Sequence, residues 1–247
     1  MTGTIINVIA ILLGGALGTL LGGRLPERLR QTVMAGLGLF TFAIGLQLFL
    51  STKNSLIVLT SLIIGILLGE WWQVENGIRW LGRWLEQRIL PKKGQAAASD
   101  HAERQERFVR GFFTASLLFC VGPIAILGSI QDGLSGNYQL LAVKSILDGF
   151  ASVAFASSLG IGVLFSALPI LLYQGGISIA ASQLQSIVSN PMMNEMSATG
   201  GVILMAIAVG NLLEIKQIRS GNFLPALFIA PILVAVLTAL GIAWASI

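Results

Sequence analysis

YQLLAVKSILDGFASVAFAS, Tyr138 to Ser157, is long and apolar enough to cross a bilayer, yet it carries a lysine and an aspartate. As a helix it spans about 30 Å, the thickness of a bilayer's hydrocarbon core. Lys144 and Asp148 are four residues apart and so share one helix face. Asp148 falls about 15 Å from Tyr138, near the midplane. A charge at that depth costs a few kcal/mol or more, and so it faces a partner, a cavity or a pathway. Two readings follow. The pair is a site, or it is a self-neutralised lock between helices.

Working outward, seven more apolar stretches can be read as spans, at 4–21, 32–50, 55–69, 108–130, 161–181, 198–213 and 223–245. The fold class is therefore all-α, a single polytopic transmembrane helical bundle of about eight spans covering residues 1–247. Composition agrees. Of 247 residues 55% are hydrophobic and 11% charged, with mean hydropathy +0.84, whereas soluble domains carry about 25% charged residues. The net charge of +4 does not indicate a nucleic-acid binder, because the basic residues lie in loops beside apolar spans, where they set topology. A single cysteine, Cys120, excludes an internal disulfide and a cysteine-cluster metal site.

Thirteen of the 15 Lys and Arg residues fall in three alternate loops, around 24–30, 79–110 and 216–219. The positive-inside rule puts these loops in the cytoplasm and both termini outside, in the bacterial inner membrane. Within the middle loop, WWQVENGIRWLGRWLEQRIL (71–90) sets Val74, Ile78, Leu81 and Leu85 at helical spacing among tryptophans and arginines. It reads as an amphipathic helix on the cytoplasmic membrane surface. A polar linker, 91–106, follows it. His101, the only histidine, lies in that linker with no neighbouring metal ligands.

Gly14, Gly18 and Gly22 form a small-xxx-small face on the first span, as do Gly65 and Gly69 on the third. Such faces let helices approach closely, within the bundle or in a homo-oligomer. Helix breaks are expected at Gly122-Pro123 in the fourth span and at Gly175-Gly176, after Pro169, in the sixth. Backbone groups freed at membrane depth need protein or a water-lined cavity, and interrupted spans are the best sequence pointer to a transport site. The echo of 38–51 in 111–129, and of 2–15 in 199–211, runs in one direction and suggests a duplication rather than an inverted repeat.

Candidate ion- or substrate-binding residues are Asp148, Lys144, Ser145, Ser152, Ser116, Gln174, Asn7 and Asp132. Asp148 suits a cation held with hydroxyls and carbonyls, or a proton; Lys144 suits a fixed counter-charge or an anchor for an anion. Asp132 and Glu195 at outer ends, and Glu70 and Glu214 at inner ends, read more readily as solvated caps. The sequence contains no GxxxxGK[ST], HExxH or GxSxG, and no histidine lies within a span to activate a serine, so neither an enzyme nor a cofactor is expected.

GTIINVIAILLGGALG, FFTASLLFCVGPIAILGSIQDG, KSILDGF, SSLGIGVLFSALPILLYQGG and TGGVIL…GNFLPAL resemble the YqgA/YdfK-like bacterial membrane protein family (domain of unknown function 554). The resemblance covers nearly the whole chain apart from 91–106. It implies a polytopic inner-membrane architecture and a possible transporter, and it matches at Asn7, Asp132, Lys144, Asp148, Gln174 and Asn222. The leading expectation is a secondary transporter or channel-like protein for a small ion or solute, with the bilayer and that solute as partners. The other is a non-transporting scaffold or regulator acting through its cytoplasmic amphipathic segment.

Overall fold

The structure, a computed structural model, describes residues 1–23, 25–89 and 98–242, and among them every regular element is helical. Helix α1 is Thr2–Gly22, α2 Glu27–Phe49, α3 Ser55–Trp72, α4 Val74–Ile89, α5 Ala98–Cys120 and α6 Pro123–Ser135. Then come α7 (Gln139–Leu159), a 3-10 turn Ile161–Ser166 leading into α8 (Ala167–Ile179), α9 (Ala181–Ile187), α10 (Asn190–Ile207) with a π-helical end at Ala208–Leu212, and α11 (Ala226–Ala239). Among the described residues seven helical stretches are long and apolar enough to cross a membrane, and an eighth is if α5 and α6 form one bent span. The chain is a helical membrane bundle.

Glycine sets how the bundle closes. A Cβ placed at Gly14, Gly18 or Gly22 would stand 2.2, 2.3 and 2.3 Å from the carbonyl oxygens of Gly149, Val153 and Ser157. These opposed residues rise together, so α1 and α7 run parallel in backbone contact. Of the two uses expected for the face at Gly14, Gly18 and Gly22, the one seen is packing within the bundle, against α7 of the same chain. Gly65 and Gly69 likewise meet Ala226 and Asn222, and Gly45 meets Gly201. Contact by small residues replaces the hydrophobic driving force that lipid does not supply.

The chain turns by 66° between Glu103–Cys120 and Pro123–Ser135. Gly122, at φ 136°, holds a conformation side chains rarely adopt, and Pro123, lacking an N–H, fits the first position of the new helix. No break occurs at Gly175 and Gly176, where one was expected; α8 runs through both. The interruption in that span lies earlier, at Gly160 (φ 82°) and the 3-10 turn. Glycine removes no backbone donor, and in lipid an intact helix is the cheapest way to satisfy every N–H.

Trp71 and Trp72 end α3 rather than opening the amphipathic segment, because Gln73 adopts a left-handed conformation between the two helices. Helix α4 packs Ile78, Leu81 and Leu85 on Phe108, Val109 and Phe112 of α5, leaving Trp80 and Trp84 exposed. Its apolar stripe is thus spent inside the protein. Residues 91–97 of the expected linker lie outside the described residues, and from Ala98 onward the chain is already α5.

Candidate functional site

The parallel α1–α7 contact puts Asn7 opposite Asp148. The Asn7 amide donates to Asp148 Oδ2 (3.0 Å) and to Gln174 Oε1 of α8 (3.3 Å). Lys144 Nζ donates to the same Asp148 oxygen in an ion pair within α7, and it lies 6.0 Å from the centre of the Phe119 ring. All four polar residues are buried, Asn7 and Gln174 completely. The opposite face of α7 shows Ile146, Leu147 and Phe150 to the outside, so the charges point into the bundle as membrane depth demands.

The cluster is not closed in its hydrogen bonding. Asn7 Oδ1, Gln174 Nε2, Ser152 Oγ and Thr4 Oγ1 are buried with no partner among the described residues. Thr4 lies one helical turn from Asn7, and Ser152 one turn from Asp148. An unmatched polar atom in hydrocarbon costs several kcal/mol, so the arrangement offers two acceptor-capable hydroxyls, an amide carbonyl and an amide N–H beside a charge pair. Oxygen donors of this kind suit a hard cation or a small polar solute. Among the described residues no three of His, Cys, Asp and Glu gather as metal ligands.

Other expected site residues are elsewhere. Ser145 and Ser116 give their hydroxyl protons to the carbonyls of Leu141 and Phe112 on their own helices (2.6 Å each). Asp132 accepts from Gly3 N (2.9 Å) and lies 3.2 Å from the terminal amine, one turn along α1 from Asn7. It is buried rather than a solvated cap, as is Glu195, which accepts from Thr52 Oγ1 (2.5 Å) and Lys53 N (2.7 Å). Both clasp a neighbouring element instead of facing water, whereas Glu70 and Glu214 are exposed.

The sequence reading missed a third clasp, at the other end of the bundle. Buried Glu75 accepts from Gly221 N (3.1 Å) and Arg79 (2.8 Å), while its own N–H donates to Asn222 Oδ1 (2.8 Å). The signal available was an acid in the first turn of α4. At the same end, Arg110 pairs with Glu214 and donates to Asn211 O (2.8 Å), and Arg219 pairs with Glu70 (3.1 Å). With Arg30 close enough to Arg107 to act on it electrostatically, all three basic segments meet at one end of the molecule.

Residues 2–235 match the family described as Protein of unknown function (DUF554). The chain is 33% identical over 237 residues to the uncharacterized protein YqgA of Escherichia coli (strain K12), covering 96% of this chain and 97% of that one. It is 30% identical over 246 residues to the uncharacterized membrane protein YdfK of Bacillus subtilis (strain 168), covering 98% and 99%. No solved structure matches.

Proposed function

This chain belongs to the DUF554 family, and from that premise and the geometry above we propose that it moves a small ion or polar solute across the membrane past Asn7, Lys144, Asp148 and Gln174. The observation that carries the reading is the set of unpartnered atoms. A cluster built only to lock α1, α7 and α8 together gains nothing from leaving Asn7 Oδ1, Gln174 Nε2 and Ser152 Oγ unmatched. A passing solute completes them. The Lys144–Asp148 pair keeps the resting site neutral, with Lys144 as the counter-charge that an incoming cation or proton displaces from Asp148. The bend at Gly122 and the turn at Gly160 supply irregular backbone on two of the neighbouring spans, as transport sites do. The reading also includes a multi-pass inner-membrane location with both termini outside, supported by the gathering of the basic segments at one end, and no enzymatic step.

The test is flux in proteoliposomes for a panel of monovalent cations, protons, small anions and neutral solutes. Asp148→Asn should lower the flux at least tenfold while its melting curve stays that of a folded protein. Wild-type vesicles that pass none of these would overturn the reading.

One observation favours a second reading, a membrane scaffold. Trp80, Arg83, Trp84 and Arg88 form an exposed face on α4, with the Arg88 guanidinium 5.7 Å from the Trp84 ring. Under this reading, substitutions on that face change partner capture and those at Asp148 change only stability.

A further inference from the structure

A second feature stands apart from the Asn7–Asp148 cluster. Between the ends of α1, α5 and α7 lies a cavity of about 330 Å³, within the size range of ligand pockets. Thr19 on its wall is about 18 Å along α1 from Asn7. Among the described residues two arginines line it, Arg104 and Arg107, and no carboxylate does. The remaining wall is largely apolar, with Phe108 and Leu159 prominent, so a charge–charge contact there is screened less than in water.

The arginines are incompletely used. Arg107 donates through Nη2 to Ser158 O (2.9 Å), but its Nε is buried with no acceptor among the described residues. A Cβ at Gly160 would lie 3.5 Å from that nitrogen, so the glycine leaves the space beside Nε open. Arg104 makes no ion pair or hydrogen bond with any described residue. Arg30 also bears on Arg107 electrostatically, and the nearby carboxylate, Glu27, is already paired with Arg30 at 2.8 Å. The two charged side chains on the described wall are both arginines, and one of them, Arg107, keeps a buried N–H without an acceptor among the described residues. Guanidinium groups match phosphate oxygens in geometry as well as charge. Basic pockets between membrane helices, at the end where the basic loops gather, are suited to phosphate head groups.

We infer that this cavity is a binding site for a phosphate-bearing anion, held by Arg104 and Arg107 over the open backbone of Gly160. The phosphate belongs either to an acidic membrane lipid or to a free phosphate.

The purified full chain in a neutral detergent is melted by tryptophan fluorescence during titration with inorganic phosphate, phosphatidylglycerol or phosphatidylcholine, at constant chloride. Saturable stabilisation by phosphatidylglycerol but not phosphatidylcholine is expected if the source is lipid, and by inorganic phosphate if it is free. Arg104→Gln, which gives up no ion pair or hydrogen bond with a described residue, should weaken the apparent affinity about tenfold, the scale of one charge-assisted hydrogen bond. Arg107→Gln should weaken it at least as much; if that variant does not fold, Arg104→Gln decides. The inference is overturned if neither phosphate source stabilises the wild type, if phosphatidylcholine does so equally, or if the folded arginine variants bind as the wild type does.

Discussion

Gly14→Ala tests the central packing claim with a single methyl group. The added Cβ would lie 2.2 Å from Gly149 O, where real Cβ atoms essentially never come within 3.0 Å. The blocking atom is backbone and cannot rotate away, so α1 and α7 must part by about 0.8 Å. Overpacking of this kind costs about 1–3 kcal/mol, against at most about 1 kcal/mol regained from alanine's helix propensity. The separation also lengthens the Asn7–Asp148 hydrogen bond, now 3.0 Å, toward the limit of a useful contact. Gly36→Ala is the internal control, because no described residue lies within 4 Å of a Cβ there and it sits in the same kind of apolar helix. It should be neutral or stabilising by up to about 1 kcal/mol. Unfolding equilibria of the two variants in bicelles, each against wild type, give the comparison. Equal stability of Gly14→Ala and Gly36→Ala would refute the close parallel contact.

Lys144→Gln alone leaves an uncompensated buried carboxylate and should destabilise by about 3–5 kcal/mol, whereas Lys144→Met with Asp148→Leu should recover most of that loss; a double-mutant cycle of melting curves checks it. Glu195→Gln removes the charge from the clasp on Thr52 and Lys53, for a loss of about 1.5–3 kcal/mol, and hydrogen exchange at residues 50–54 should speed up. Asn222→Ala frees the Glu75 N–H and should loosen α4 from the bundle, read as faster proteolysis between α3 and α5 with the remaining spans intact. Trp80→Ala with Trp84→Ala should reduce quenching of tryptophan fluorescence by lipid-borne quenchers without changing the melting curve, because both rings are exposed.

Hydropathy made the spans legible, and the spacing of Lys144 and Asp148 made their shared inward face legible. The proline at 123 marked a true bend because it deletes a donor. Gly175-Gly176 looked like a comparable mark but was not one, since glycine only permits a break. The small-xxx-small face on α1 announced a close neighbour without naming it, because glycine carries no chemistry that distinguishes α7 from a second copy. Asp132 and Glu195 misled for a related reason. Position at a span's end says that water is near, not which way the side chain points. Asn7 stands out in the sequence only as one of several polar residues in or near spans and as a position the family resemblance matches; its partnership with Asp148 and Gln174 depends on α1 and α8 meeting beside α7, which no local pattern encodes.

Asn7 and Asp148 are separated by 141 residues of chain, although they touch in the finished molecule. During synthesis at about 5–20 residues per second, α1 enters the membrane on the order of ten seconds before α7 exists. Throughout that interval its row of glycines, and the amide and hydroxyl beside them, face lipid or whatever insertion machinery shields them. The first helix made therefore has no backbone partner until α7 follows it. Assembly of this protein has a built-in waiting period, and a chain halted before residue 148 leaves α1 without its natural companion.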